Sequence, residues 1–163
     1  VSACLLGHLV RYDGLDKRHD FICNVLPRSV NLVPVCPEAD AGLSVPRPPV
    51  QLVGNLLHPR MLGVDDRALD VTEAVEKYSL SVISDLRSFS GFILKARSPS
   101  CGLHRVPLYD MAGNVVEYTS GTFVRLLREA DPLMPLSDES DIDNPECRAE
   151  FLDRVAGYQQ RRG

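Results

Sequence analysis

No run of uncharged apolar residues in this chain is long enough to cross a membrane, so a spanning helix is excluded. No secretory leader is visible either, because the chain opens directly on an apolar, strand-like run; the missing initial Met implies that a few residues precede Val1. There is no Cys-x-x-Cys pair, no paired histidine spacing and no internal repeat. Large excess charge is also missing. Residues 1–136 carry 14 Lys and Arg against 15 Asp and Glu, and residues 137–163 carry 4 against 7. The balance argues against bulk polyanion binding by the domain, though not against a local basic patch.

What is present suits one ordinary domain. The 163 residues are 44% hydrophobic and 25% charged, enough to bury a continuous core. Five cysteines make an odd count, too widely spaced for a disulfide-stapled secreted scaffold. A reducing, cytoplasmic setting is therefore expected, in which cysteines at turns favour metal binding or catalysis.

Residues 1–6, 30–36 and 92–96 read as short buried strands. A first helix is expected within residues 16–26, with Phe21, Ile22, Val25 and Leu26 on one face and a stop at Pro27. A second has Val71, Ala74, Val75, Tyr78, Val82 and Leu86 at helical spacing, a capping-box-like start at Asp70 and Glu73, and an end at Gly91. This alternation predicts a parallel sheet with helices on both faces and a ligand crevice at the carboxyl ends of its strands. Val106–Asp110 and Val115–Tyr118 flank a Gly-Asn turn and predict a hairpin, and Phe123, Leu126, Leu127 and Ala130 an amphipathic helix. The acidic stretch 137–147 reads as a loop or linker before a last helix around Phe151 to Tyr158.

Three segments carry the chemistry: Ser-Ala-Cys-Leu-Leu-Gly at 2–7, Val-Pro-Val-Cys-Pro-Glu at 33–38 and Ser-Pro-Ser-Cys-Gly at 98–102. Each places a cysteine in or just past an apolar run and turns the backbone with Pro or Gly within three residues. A lone cysteine is ordinarily a small buried hydrophobe, and Cys23 and Cys147 fit that role. Cys4, Cys36 and Cys101 fit it less well. Structural zinc takes four ligands, and a nucleobase-deaminase zinc site needs His-x-Glu before Pro-Cys-x-x-Cys, a spacing that Val35–Glu38 lacks. An iron–sulfur cluster on three cysteines leaves one iron open to a soft atom such as sulfur, and it makes use of the missing fourth cysteine.

The ordered set of Ser-Ala-Cys-Leu-Leu-Gly with Val10–Gly14, Val-Pro-Val-Cys-Pro-Glu leading to Gly42-Leu43 and Pro46-Arg47, and Ser-Pro-Ser-Cys-Gly after Ile93–Lys95 resembles the TudS-like thiouracil desulfidase family over roughly residues 1–130. Gly121–Phe123, the Pro-Leu-Met-Pro run and Arg148–Phe151 look more like the form fused to a C-terminal helical domain, which is associated with 4-thiouridine in transfer RNA.

The resemblance implies that Cys4, Cys36 and Cys101 hold a [4Fe-4S] cluster and that Glu38 and Ser98 take part in catalysis. Glu38 would serve as general acid or base with a raised pKa, and its bland alternative is a solvated turn carboxylate. Arg11, Tyr12, Asp13, Arg47 and Ser100 are candidates for substrate binding, with Lys95 and Arg97 nearby; Arg pairs with a base edge or phosphate and Tyr stacks on a pyrimidine.

The expected fold is α/β, a single Rossmann-like domain over residues 1–136 with a mainly parallel sheet, followed by an acidic linker and helical extension over 137–163. The expected activity is replacement of sulfur by oxygen in a thiolated uracil such as 2-thiouracil, 4-thiouracil or 4-thiouridine, free or in transfer RNA. The competing readings are a zinc-dependent nucleobase hydrolase and a non-catalytic iron–sulfur or RNA-binding module.

Overall fold

The computed structural model describes residues 1–162. Six strands and five α-helices follow one another as α1 (Asp20–Asn24), β1 (Val50–Val53), β2 (Arg60–Gly63), α2 (Thr72–Ser84), β3 (Phe92–Leu94), β4 (Val106–Tyr109), β5 (Val115–Thr119), α3 (Thr122–Ala130), β6 (Leu136–Asp138), α4 (Glu139–Asp143) and α5 (Pro145–Arg162). The α/β class holds. The mainly parallel sheet does not, because the strands divide between a four-stranded sheet in the order β2-β1-β4-β5 and a two-stranded β3-β6 pair. Within the larger sheet β1 runs parallel to β4, while the β1–β2 and β4–β5 pairs are antiparallel. Short connections force this: the β4–β5 turn closes with Asp110 Oδ1 accepting from the Asn114 N–H and Gly113 at φ +91°, leaving no room for a crossover.

The small sheet is parallel throughout. β3 pairs in parallel with β6, and on its other side the Ser2 N–H donates to the Ile93 carbonyl at 2.9 Å. Ser2 in turn bridges Val35 in parallel. The expected strands at 1–6 and 30–36 thus shrink to single bridging residues. After Ser2 the chain winds into a 3-10 turn over Ala3–Leu6 that ends at Gly7, whose φ of +90° belongs to the left-handed region that glycine tolerates. Apolar runs this short do not distinguish a strand from a buried turn.

The first helix is cut to five residues. The N–H groups of Lys17 and His19 are drawn onto the Cys4 and Leu5 carbonyls, which keeps 16–19 extended. α2 forms where its period predicts, although it begins on Val71 without a side-chain cap, and Asp70 Oδ1 instead accepts from the Thr72 N–H. It stops at Asp85, well before Gly91. Gly91 serves close packing: a Cβ there would lie 2.9 Å from Val155 Cγ2 and 3.1 Å from the Pro135 carbonyl.

The stretch 137–147 is not a loop. Ser137 and Asp138 are buried in β6, and Asp138 caps α4 by accepting from the Ser140 and Asp141 N–H groups. Its acidic composition reflects helix caps. Three hydrophobic clusters hold the layers together: one around Phe92, Phe123 and Leu127, one around Leu5, Ile22 and Ile142, and one between the larger sheet and α2. Phe92 and Phe123 meet edge to face at 5.6 Å. Among the described residues, no helix is long and apolar enough to cross a membrane.

Candidate active site

Cys4, Cys36 and Cys101 all line one cavity of about 380 Å³. Cys4 sits in the 3-10 turn that leaves the small sheet, Cys36 directly follows the bridging residue Val35, and Cys101 belongs to the loop after β3. The three thiols therefore reach one place from adjacent rows of the same parallel set, at its carboxyl end. Each is free, and Cys4 and Cys101 are buried. Burial pushes the Cys4 thiol up to about 11, with Cys36 adding to it, and burial likewise raises Cys36. Cys101 lies far above the ordinary thiol range for the same reason; a hydrogen bond from Ser2 offsets part of this, while Cys36, Glu38 and Cys4 add to it. The three sites feel one another's charge. The Ala39 N–H lies 3.5 Å from Cys36 Sγ, a donor ready for a thiolate.

The Cys101 loop is fastened to the start of α3. Gly121, Thr122 and Phe123 donate their N–H groups to the carbonyls of Gly102, Pro99 and Ser100 at 2.8, 3.0 and 3.0 Å. The opening amides of a helix lack partners within it, and here the loop supplies them. Gly121 makes the approach possible, since a Cβ on it would stand 2.4 Å from the Ser100 carbonyl.

Glu38 lies in the cavity wall and is nearly enclosed. Its Oε2 accepts from Arg47 Nε at 3.0 Å and Nη2 at 2.8 Å, and its Oε1 accepts from the Ser100 hydroxyl at 2.6 Å. Ser98 faces the same space, while its Oγ accepts from the Ser100 and Cys101 N–H groups at 3.2 and 3.1 Å. Arg11, Tyr12, Arg47, Lys95 and Arg97 also line the cavity. Asp13 and Ser100 are not part of its lining: Asp13 pairs with Arg11, and the Ser100 hydroxyl donates to Glu38. Lys17 completes a lining of five cations around a single acidic side chain, Glu38.

Three contributors escaped the sequence reading. Ser2 accepts from the Lys95 N–H at 2.9 Å through its buried hydroxyl. Asp40 accepts from the Cys36 N–H and from the Tyr78 hydroxyl, each at 2.8 Å; its place four residues after a cysteine was the available signal. Glu139 pairs with Lys95 and accepts from the Ala96 N–H at 2.7 Å. Nothing in its acidic surroundings marks it. Cys23 is engaged elsewhere, 3.3 Å from the Leu5 carbonyl. Among the described residues, no group of three or more His, Cys, Asp or Glu side chains is set to hold a single metal ion.

The family model for 2-thiouracil desulfurase matches residues 1–139. The chain belongs to the 2-thiouracil desulfurase family. The chain is also 29% identical over 136 residues to the uncharacterized protein YbbK of Bacillus subtilis (strain 168), a match covering 80% of the chain and 89% of YbbK. Among solved structures it is similar to the [4Fe-4S]-dependent thiouracil desulfidase TudS, with a TM-score of 0.69 and 27% identity over 92% of the chain and 94% of that protein.

Proposed function

We propose that this protein removes sulfur from a thiolated uracil, with Cys4, Cys36 and Cys101 holding a [4Fe-4S] cluster. The observation that carries the reading is the meeting of three free thiols in one cavity whose wall also contains Glu38 and Ser98. The donor set suits the group: soft sulfur ligands, a backbone N–H beside one of them, and no fourth cysteine in the cavity lining. Membership of the desulfurase family and likeness to an iron–sulfur desulfidase support the same reading.

When bound, the cluster supplies a Lewis-acidic iron without a protein ligand, which polarises a thiocarbonyl. The chain's own residues do the rest. In the overall exchange the ring carbon loses its C=S bond and gains a C=O bond, water supplies the oxygen, and the two protons of water leave with sulfur as hydrogen sulfide. No electrons are gained or lost. Glu38, held in the cavity wall by Arg47 and Ser100, takes a proton from the attacking water through the lone pair that Oε1 keeps beside its bond to Ser100. Ser98 orients the leaving sulfur or the ring. Tyr12, with Arg11 stacked 5.6 Å from its ring centroid, offers a face for the pyrimidine at the rim. The exposed Lys17 and Arg97 favour a uracil carried on a nucleoside phosphate or in transfer RNA over the bare base.

Anaerobic reconstitution followed by a sulfide-release screen of 2-thiouracil, 4-thiouridine and thiolated transfer RNA tests cofactor and substrate together. Iron with acid-labile sulfide and turnover on at least one compound is expected. Cys4→Ala, Cys36→Ala and Cys101→Ala should each abolish turnover while Cys23→Ala retains it. Zinc in place of iron, a loaded cluster with no turnover, or equal loss in all four variants would overturn the proposal.

A further inference from the structure

Arg47 lies outside all three cysteine motifs, yet it contacts or indirectly holds each of them. Its backbone N–H donates to the Tyr12 carbonyl at 2.9 Å, and Nη1 donates to the Val10 carbonyl at 3.0 Å, anchoring the segment that follows Cys4. Nε and Nη2 grip Glu38, two residues after Cys36. Through Glu38 Oε1 the tie passes to Ser100, the neighbour of Cys101. Cys36 Sγ itself lies 4.0 Å from that same Val10 carbonyl. The guanidinium and carboxylate side chains are only 6% and 11% exposed, so water does not compete for these bonds.

We propose that Arg47 and Ser100 are positioning residues: with Glu38 they form a buried clamp that sets the spacing of the three thiol-bearing loops. This rests on the desulfidase reading above. The planar fork of arginine is what the clamp needs, because it meets one carboxylate oxygen and a carbonyl on another segment at once. A lysine carries the charge without that span. The Ser100 hydroxyl donates to Glu38, and at 1% exposure its oxygen is too deep to serve substrate directly. The clamp therefore gives Glu38 a second task, joining loops besides handling protons.

The test compares anaerobically reconstituted wild type, Arg47→Met, Arg47→Lys and Ser100→Ala, reading iron and sulfide content, the rate of cluster loss to a chelator, and the EPR line shape of the reduced cluster. Arg47→Met should lose its cluster at least tenfold faster with an altered line shape, Arg47→Lys should recover part of both, and Ser100→Ala should shift the line shape with a loss rate about threefold faster. Leu127→Ala is the control for general destabilisation: it should lower the melting temperature yet keep the wild-type line shape. If Arg47→Met fails to fold, Arg47→Lys against Leu127→Ala gives the same comparison. Wild-type lifetime and line shape in the Arg47 and Ser100 variants would overturn the clamp while leaving the desulfidase reading intact. A wild type that takes up no cluster at all would overturn both.

Discussion

Replacing Gly121 by alanine should loosen the loop that carries Cys101. The φ of Gly121 is −64°, open to any residue, so the requirement is for space alone. An alanine Cβ would stand 2.4 Å from the Ser100 carbonyl carbon and oxygen and 2.9 Å from the Cys101 nitrogen, where ordinary contact begins at 3.4 Å. Helix and loop must part by about 1 Å, which takes the bonds from Gly121, Thr122 and Phe123, now 2.8–3.0 Å, out of hydrogen-bond range. Three such bonds at about 1 kcal/mol each, less whatever the separated groups regain from water, plus about 1–2 kcal/mol of residual strain give a loss of roughly 3–5 kcal/mol. In a chain of this length that lowers the melting temperature by about 10 °C. Calorimetry of the cluster-free protein reads the stability and iron content after reconstitution reads the site; both should fall together. A melting temperature within about 2 °C of wild type would show that the close approach bears no weight.

Leu127→Ala, on the buried face of α3, should cost about 2–5 kcal/mol through the cavity it opens, measured by urea unfolding; a cost below about 1 kcal/mol would deny that the cluster around Phe123 is tightly packed. Alkali should weaken the cluster-free fold. Cys4 has a thiol raised to about 11 from the ordinary 9.0, so the unfolded chain ionises first as pH climbs. The contribution is fully present below about 9 and is lost as pH rises to about 11, a fall of roughly 3 kcal/mol from this group. Melting curves of wild type and Cys4→Ala across that window check the sign. A decline equally steep in both would assign it to other groups.

The sequence was most informative where backbone chemistry is local. The Gly-Asn turn before Val115, the period of α2 and the Phe123 face of α3 all formed as read, because short-range sterics and one-sided burial decide them. It misled where partners are distant. The apolar residues 1–6 suit a strand as well as a 3-10 turn, and only the amides of Lys17 and His19, drawn onto the Cys4 and Leu5 carbonyls, select the turn. The same limit hid Glu139, whose meeting with Lys95 depends on β6 lying beside β3. The three cysteine motifs pointed to one crevice because each interrupts an apolar run at a strand end. The clamp around Arg47 was not legible, since nothing in a linear chain says that one guanidinium will touch both the segment after Cys4 and the carboxylate after Cys36.

The cavity draws its walls from Ser2 through Cys101, and the parts that secure them come later in the chain, which orders events in biosynthesis. A nascent chain that has emerged as far as Cys101 displays all three cavity thiols yet lacks what fixes the pocket, because the amides of Gly121–Phe123 and the carboxylate of Glu139 still lie ahead. Until then the sulfur atoms are loose, reactive groups open to oxidation or stray metals. The pocket is therefore complete only after the chain through Glu139 has emerged and folded, and whatever binds there meets a folded acceptor.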